Sequence, residues 1–283
     1  TRKESSAASD VYKRQDMDGT LLDSHHRVSE RNKEALKKAI EKGVHIAIST
    51  GRVFPSARIY GNIIGVNAPL ICSNGSYIKD KNTGELIFKS TLDRETYFKI
   101  CDIINKYKFL AYVDSTDGLI ADTDIPEDDS HRLMNSWVDE EEKIKFYKYD
   151  DLRDAYDEHG EDILKFIIIK KEGGPNIEEA KEEFEALEGV DLVYASWGGC
   201  IEIMKKGTSK GSAVKALADK LGISLEEVIC IGDSGNDISM LEEAGLSVVM
   251  GNAPNFIKEY GDYITDTNEN DGVAKAIEKF ILE

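Results

Sequence analysis

Apolar runs of strand length alternate with amphipathic helical segments over most of the chain. Three of these runs lead directly into polar loops, at residues 44–48, 69–72 and 228–231. Helical spacing of apolar residues occurs in two segments that end at glycines, residues 29–42 and 209–221. The order strand, helix, strand predicts an α/β fold with a doubly wound, Rossmann-like parallel sheet. Ligands of such sheets gather at the carboxyl ends of the strands.

A block with its own strands and helices interrupts this pattern. Tyr77 to Ser90 predicts a hairpin, and a helical segment follows. Further strands and a helix are predicted beyond it, at residues 109–121, 163–169, 177–187 and 190–194. We therefore expect an inserted α/β domain at residues 85–199, with the core domain formed by residues 16–84 and 200–283. The polar loop of the inserted domain at 114–118 is a candidate for contacting a substrate, with a solvent-exposed turn as the alternative.

The first 15 residues do not fit the pattern. They are polar and rich in Ser and Ala, and they end in Lys13, Arg14 and Gln15. A central parallel strand is normally a run of Val, Ile and Leu, because it is buried on both faces. We expect residues 1–15 to be foreign to the protein or disordered, and an inactive chain with a damaged first strand is one possibility.

Composition excludes several classes of protein. Hydrophobic residues make up 41% and charged residues 32% of the chain, which is typical of a soluble globular protein. The net charge of −18 argues against nucleic acid or an anionic membrane as a partner. No apolar run approaches the ~20 residues of a membrane span, and no signal-peptide core is present. The four cysteines lack metal-ligand spacing, so we expect reduced thiols in a cytoplasmic protein.

Two carboxylates stand two residues apart at Asp16 and Asp18, followed by Gly19. Side chains at this spacing point the same way from an extended backbone. Like charges that close require a cation or a shared proton, and oxygen ligands suit Mg²⁺. A plain turn is the alternative. A calcium loop is excluded, because its sixth and twelfth positions would be Leu21 and Arg27 instead of glycine and glutamate.

Polar residues also follow the other predicted strands, and each has an ordinary explanation. Thr50 and Gly51 could be a simple strand exit, Lys210 a surface lysine, and Asn74 with Gly75 only a turn. The histidines show no spacing typical of metal ligands or of a catalytic base. Taken together at successive strand ends, however, these residues favour one shared site.

The motifs resemble those of the haloacid dehalogenase superfamily, specifically Cof-type phosphatases with a large α/β cap inserted into the core. They occur in the order Asp-x-Asp-Gly-Thr, Thr-Gly-Arg, Ser-Asn-Gly, Ser-Lys-Gly and Gly-Asp-x-x-Asn-Asp. The resemblance spans residues 16–283 and departs from the family only before Asp16.

The resemblance implies a phosphatase mechanism with residues in defined roles. Asp16 would attack phosphorus to form an aspartyl-phosphate, and Asp18 would act as the general acid and base. Mg²⁺ would be held by Asp16, Asp18 through its carbonyl, and Asp233, with Asp237 supporting the site. The phosphoryl oxygens would be bound by Thr50, Lys210, Asn236 and the amides of Met17 and Gly51. Residues expected near the substrate are Arg52, Asn74 and Gly75.

The substrate class and two rival functions stay open at this point. The resemblance favours a sugar phosphate as the small phosphorylated metabolite, with a nucleotide, flavin mononucleotide or pyridoxal phosphate as alternatives. A serine hydrolase is a rival because residues 232–235 resemble a nucleophile loop, but no histidine partner is in a comparable motif. A phosphoacceptor without turnover is the second rival, and Asp18 argues against it, because storage of a phosphoryl group needs no acid or base.

Overall fold

The computed structural model describes Met17 and residues 19–194 and 198–283. The expectations for residues 1–15, Asp16 and Asp18 therefore lie outside the described residues. The helices are α1 (Glu30–Glu41), α2 (Phe54–Ile64), α3 (Arg94–Tyr107), α4 (Ser130–Met134), α5 (Ala155–His159), α6 (Lys181–Glu185), α7 (Lys210–Leu221), α8 (Ile238–Glu243), α9 (Asn255–Lys258) and α10 (Gly272–Ile277). The strands are β1 (Leu70–Cys72), β2 (Tyr77–Lys79), β3 (Leu86–Lys89), β4 (Leu110–Ser115), β5 (Gly118–Ala121), β6 (Lys145–Lys148), β7 (Ile163–Ile169), β8 (Val190–Tyr194), β9 (Cys200–Lys205), β10 (Ile229–Gly232), β11 (Leu246–Val249) and β12 (Tyr263–Ile264).

The largest sheet has six strands in the order β6-β5-β4-β7-β9-β8, and only the β5–β6 pair is parallel among them. One face packs on α3 and α6 around an aromatic core in which the ring centroids of Tyr97 and Phe166 are 4.8 Å apart. The opposite face contributes Tyr112 and Leu164 to the apolar cluster that also contains α1 and α2. The six-stranded sheet therefore separates two cores, as expected for a layered α/β block.

Parallel pairing is found in the rest of the chain. Strands β10, β11 and β12 form a parallel sheet. Residues 44–48, predicted as a strand, run alongside β1 but are not assigned to a strand, and among the described residues one parallel bridge joins Ser49 to Ile71. The amide of Ile71 donates to the carbonyl of Ile48, and the amide of Thr50 donates to the carbonyl of Ile71, both at 2.9 Å. The carboxyl ends of both segments therefore meet at one edge, as predicted.

The predicted helix ends are confirmed in their local chemistry. Ser29 caps α1 by accepting the amide of Asn32 at 3.1 Å, and Gly43 follows the helix with a φ of +89°. Ser209 caps α7, and Gly222 ends it in the left-handed conformation. Helix ends are set by residues that are neighbours in the sequence, which is why the sequence pattern predicted where these two helices begin and end.

The edges of the inserted block differ from the expected ones. Strand β9 lies beyond residue 199, yet it pairs with β7 and β8. Strand β3 lies within the block expected from residue 85, yet it pairs with β2 in the hairpin. We propose that the insertion begins after β3 and ends after β9, because sheet pairing decides which layer a strand belongs to.

All four cysteines are buried. Burial raises the pKa of Cys101 and of Cys230 to about 12, so both are thiols at neutral pH. Across the described ranges, no helix combines the length and the apolar character that crossing a bilayer requires.

Candidate active site

A cavity of about 780 Å³ lies between the six-stranded sheet and the loops at the strand ends of the rest of the chain. The loops contribute Gly51, Asp233 and Asn236 to its wall, and the sheet contributes Tyr112 and Glu202. Its volume is in the range typical of small-molecule sites. The cavity therefore forms where the sequence placed the shared site, and the inserted block forms its other side.

Asp233 stands at the end of β10 and is held against the loop that follows Asp18. Thr20 Oγ1 donates a 2.7 Å hydrogen bond to Asp233 Oδ1. Gly19 has a φ of +100°, and a Cβ at this position would lie 2.5 Å from Asp233 Oδ2. Glycine is required here for two reasons, because the backbone is left-handed and the carboxylate occupies the space of a side chain. The loop carrying the first motif therefore lies directly on Asp233.

Asp237 and Lys210 form a buried ion pair beneath this loop. Lys210 Nζ lies 2.8 Å from Asp237 Oδ1, and both side chains are fully buried. Asp237 Oδ2 accepts the amides of Asp233 and Ser234 at 2.9 and 3.0 Å. The first turn of α7 reaches this place because Gly211 packs on α8, where a Cβ would lie 2.3 Å from the carbonyl of Ser239. Asp237 thus fixes both the lysine and the loop that presents Asp233.

The turn after β1 is left-handed at three successive residues. The φ angles of Ser73, Asn74 and Gly75 are +47°, +57° and +98°. Such angles cost free energy for residues with a side chain, so the turn must be held by its surroundings. The amide of Asn74 donates to the carbonyl of Thr50 at 3.0 Å, and the amide of Ser73 donates to that of Arg52 at 2.9 Å. The Thr50 loop and this turn are therefore one hydrogen-bonded unit.

Arg52 is almost fully buried and lines the cavity. Its guanidinium carbon lies 5.5 Å from the centroid of the Tyr60 ring, and Nη1 donates to Ser56 Oγ at 3.3 Å. These contacts orient a permanent positive charge at the wall of the site.

The structure brings most of the predicted residues together. Gly51, Arg52, Asp233 and Asn236 line the cavity. Behind this wall, and also buried, lie Met17, Thr50, Asn74, Lys210 and Asp237. Gly75 packs instead against the start of α7, where a Cβ would lie 2.3 Å from the carbonyl of Ser209. Its glycine is explained by this close approach, and it is not among the residues that line the cavity.

Sequence reasoning missed a buried charge cluster on the six-stranded sheet. Lys165 on β7 lies 3.1 Å from Glu202 Oε1 on β9 and 3.6 Å from Asp114 Oδ2 on β4. Asp114 and Lys165 are directly opposite each other in the register of the sheet. Burial raises the pKa of Asp114 against the opposing effect of Lys165. The signal that could have indicated this cluster is a lysine within an apolar strand, because a buried lysine is rarely without a charged partner.

A second missed pair lies at the start of α4. His131 Nδ1 lies 3.1 Å from Asp129 Oδ1, and both residues line the cavity. Burial alone would raise the pKa of Asp129, but the hydrogen bonds and charge of His131 outweigh it and lower the pKa. The sequence predicts no role for His131, because the turn that brings Asp129 against it is not one of the spacings typical of metal ligands or a catalytic base.

The family of the chain is decided by comparison with known proteins. The family model of the haloacid dehalogenase-like hydrolases matches residues 15–277. The chain belongs to the haloacid dehalogenase-like hydrolase family. A 5-amino-6-(5-phospho-D-ribitylamino)uracil phosphatase of Bacillus subtilis is 34% identical over 267 residues, covering 94% of each chain. A phosphoglycolate phosphatase of Methanobrevibacter smithii is 33% identical, covering 94% of this chain and 97% of its own.

A solved structure confirms the fold of this haloacid dehalogenase-like hydrolase. The solved structure of a haloacid dehalogenase-like hydrolase from B. subtilis matches with a TM-score of 0.80 and 29% identity, covering 94% of this chain and 98% of its own. The prediction of an α/β fold of this superfamily is therefore confirmed, as is the prediction that the chain is an enzyme of the hydrolase class.

The donor set fits a hard divalent cation. Within the described ranges no three carboxylate, histidine or cysteine side chains lie close enough to hold a metal. Asp233 presents carboxylate oxygens to the space beside Gly19, which a Cβ would otherwise fill. Since Gly19 directly follows Asp18, the Asp16 carboxylate and the Asp18 carbonyl are the groups of the first motif that would complete such a site. Carboxylate oxygens are the ligands that Mg²⁺ prefers.

Proposed function

We propose that the chain is a phosphatase that hydrolyses a small phosphomonoester with Mg²⁺ through an aspartyl-phosphate on Asp16. The observation that supports this most is the contact of Gly19 and Thr20 with Asp233, which holds the loop of the first motif against a carboxylate 213 residues away. The family match agrees with this reaction, because both relatives named above are phosphatases.

In the proposed reaction Asp16 attacks phosphorus, and the bond from phosphorus to the ester oxygen breaks. Asp18 donates its proton to that oxygen, so the leaving group departs as a neutral alcohol. Asp18 then takes a proton from the water that attacks the aspartyl-phosphate, which releases inorganic phosphate and restores Asp16. Asp16, Asp18 and Asp233 would hold Mg²⁺, with Asp237 supporting them. When bound, the ion would supply positive charge that offsets the phosphoryl oxygens and the carboxylates of Asp16 and Asp18.

In this proposal, donors from the loops at the strand ends bind the phosphoryl oxygens. Thr50, Asn236, Lys210 and the amides of Met17 and Gly51 are the donors assigned to this role. Lys210 is fixed by Asp237, so its ammonium is positioned before substrate arrives. Such prepositioned donors are most effective in a site from which water is excluded.

The cavity favours a leaving group larger than a two-carbon acid. It extends from Asp233 to the six-stranded sheet, where Lys165 and Glu202 supply both a donor and an acceptor. These groups suit a hydroxylated chain or ring, so we assign a sugar or sugar-alcohol phosphate as the substrate class. Tyr112, Leu119 and Ile167 line the same side, which keeps a nucleotide, flavin mononucleotide or pyridoxal phosphate as the second candidate.

The test combines a substrate panel with two variants of the first motif. Wild-type protein should hydrolyse p-nitrophenyl phosphate and one class of natural phosphomonoester with many turnovers, and EDTA should abolish this activity. Asp16→Asn should remove turnover, whereas Asp18→Asn should still become phosphorylated and then hydrolyse slowly. Melting temperatures close to wild type would show that both variants fold.

The rival functions give different results in the same experiment. A phosphoacceptor would stop after one phosphoryl group per chain. A serine hydrolase would keep its activity in EDTA and lose it to a fluorophosphonate. Wild-type turnover in Asp16→Asn would contradict the proposed nucleophile.

A further inference from the structure

A hydrogen-bonded chain of side chains connects the six-stranded sheet with the phosphate-binding loop. Lys165 Nζ donates to Glu202 Oε1 at 3.1 Å, and Asn74 Nδ2 donates to Glu202 Oε2 at 2.6 Å. Asn74 Oδ1 accepts from Asn236 Nδ2 at 3.1 Å. Asn236 Oδ1 in turn accepts from Ser234 Oγ at 2.6 Å. Four segments that are far apart in sequence are therefore linked by four successive hydrogen bonds.

The donor-to-acceptor direction of this series of hydrogen bonds is set at the Glu202 end. A carboxylate can only accept hydrogen bonds and an ammonium can only donate them, whereas a serine hydroxyl can do either. With Lys165 on one oxygen and Asn74 on the other, Glu202 requires the amide nitrogen of Asn74 to face it. The amide oxygen of Asn74 must then face Asn236, and the amide nitrogen of Asn236 must donate to it. Ser234 does not fix this direction by itself, because its hydroxyl can donate to Asn236 Oδ1 at 2.6 Å or to Asp237 Oδ2 at 3.3 Å.

The direction matters because Asn236 lines the cavity. An asparagine amide that is turned over exchanges a donor for an acceptor at the same place. An acceptor there would repel a phosphoryl oxygen, whereas a donor binds it. The role of Asn236 in the proposed function therefore depends on which way its amide is held.

We infer that Glu202 is a positioning residue for phosphate binding, acting through Asn74 to keep the amide donors of Asn236 toward the phosphoryl group. This inference rests on the proposed function of the site. Glu202 belongs to the inserted block and Asn74 to the turn after β1, so the phosphate site is complete only while the six-stranded sheet lies on that turn. The block then contributes to binding of the phosphoryl group itself as well as of the leaving group.

The test is Glu202→Gln, measured by calorimetric titration of the full-length protein with inorganic phosphate in the presence of Mg²⁺. Inorganic phosphate has no leaving group, so a contact between Glu202 and a leaving group cannot contribute. In the variant, the amide oxygen of Gln at position 202 accepts from Lys165, so its amide nitrogen faces Asn74. Asn74 must then turn its oxygen toward this nitrogen, and Asn236 must turn over in response. The dissociation constant for phosphate should rise about tenfold, the equivalent of one hydrogen bond.

Asp114→Asn is the matched control for charge. It also removes a carboxylate beside Lys165, but Asp114 accepts from Ser73 Oγ at 2.9 Å and has no link to Asn236 in the chain described above. Its dissociation constant for phosphate should stay within about twofold of wild type, below the net contribution of one hydrogen bond. An equal loss in both variants would show that only the charge matters, and would overturn the inference.

The double variant N74D/E202Q tests the direction itself. Asn74→Asp alone places two carboxylates together at the 2.6 Å contact and should weaken phosphate binding. In the double variant the nitrogen of Gln faces one oxygen of Asp, and the other oxygen accepts from Asn236 as in the wild type. Phosphate binding and the melting temperature should therefore recover relative to Asn74→Asp. If Glu202 and Asn74 only support the structure and the direction of their hydrogen bond does not matter, the losses of phosphate affinity in the two single variants should add in the double variant.

The outcomes separate this inference from the proposed function. If wild-type protein binds phosphate and hydrolyses phosphomonoesters but Glu202→Gln binds phosphate equally well, the inference alone is overturned. If wild-type protein neither binds phosphate nor hydrolyses any ester of the panel, the proposed function fails and the inference fails with it.

Discussion

Replacing Gly19 with alanine tests whether the contact between the first motif and Asp233 is needed for the reaction. The φ of Gly19 is +100°, so any side chain there is strained by about 1–2 kcal/mol. The new Cβ would also lie 2.5 Å from Asp233 Oδ2, roughly 1 Å closer than an ordinary contact between non-bonded atoms. The carboxylate must move by a comparable distance, which would also break its hydrogen bond to Thr20. Losing that bond adds about 1 kcal/mol to the cost.

Gly43→Ala is the matched control. Gly43 has a similar φ of +89°, it is exposed, and no atom lies within 4 Å of the added Cβ. Both variants should lose about 1–2 kcal/mol of unfolding free energy from backbone strain, and Gly19→Ala about 1 kcal/mol more. Activity should separate them far more clearly. A displacement of about 1 Å in a catalytic group reduces the rate by about 100-fold.

The assay is hydrolysis of p-nitrophenyl phosphate over a range of Mg²⁺ concentrations, with urea denaturation of the same samples. Gly19→Ala should lower kcat/KM by about 100-fold and raise the Mg²⁺ concentration needed for half-activation, because Mg²⁺ demands near-ideal ligand positions. Gly43→Ala should keep wild-type kinetics. A Gly19→Ala variant with wild-type activity and an unchanged response to Mg²⁺ would refute the placement of Asp233 in the metal site.

Two further variants test the buried pair and the cap of α3. Lys210→Met leaves the Asp237 carboxylate buried without its ammonium, so it should lower the unfolding free energy in urea by about 3–5 kcal/mol and strongly reduce activity. The double variant K210M/D237N should regain part of this stability but no activity, and a loss below 1 kcal/mol in Lys210→Met would contradict a buried pair. Asp93→Ala removes the N-cap of α3, where Asp93 accepts the amide of Thr96 at 3.0 Å, and should cost about 1 kcal/mol at neutral pH. That hydrogen bond lowers the pKa of Asp93, so its contribution is present above the unfolded pKa of about 3.9 and disappears as the pH falls through the lower, folded value. Urea midpoints of wild type and Asp93→Ala should therefore converge below pH ~4, and a constant difference there would refute the assignment.

Local signals explain why much of the fold could be predicted. The ends of β7 and β8 match the predicted strands, and Ser29 and Ser209 cap helices where their sequence neighbours indicated. The predicted strand at 44–48 was wrong in extent, because a strand exists only through its pairing, and among the described residues the one bridge lies just beyond it at Ser49. Our proposal that the insertion ends after β9, and not near residue 199, rests on the same dependence on pairing. Sheet membership of β9 depends on partners distant in the chain.

The site was predictable only where a motif carried it. Asn74 and Asn236 stood in motifs, and the structure joins them across 162 residues. Glu202 stood in none, although it is bonded to Asn74 across 128 residues. Nothing in the pattern around Glu202 distinguishes it from an ordinary strand carboxylate, because its function depends on which side chain lies opposite in the folded chain.

The charges at the cavity favour a divalent cation as part of the proposed phosphate site. Among the residues described at its wall, five carry a carboxylate and two carry a permanent positive charge: Asp23, Asp114, Asp129, Glu202 and Asp233 against Arg52 and Lys165. Behind the wall, Lys210 is balanced by Asp237. Burial raises the pKa of Asp114, whereas at Asp129 the effect of burial is outweighed by His131, which lowers the pKa. Asp16 and Asp18 add two more carboxylates to the proposed centre. This arrangement would repel a phosphate dianion, and the charges of Lys210 and Arg52 do not offset it. We therefore expect the measured affinity for phosphate to rise with the Mg²⁺ concentration.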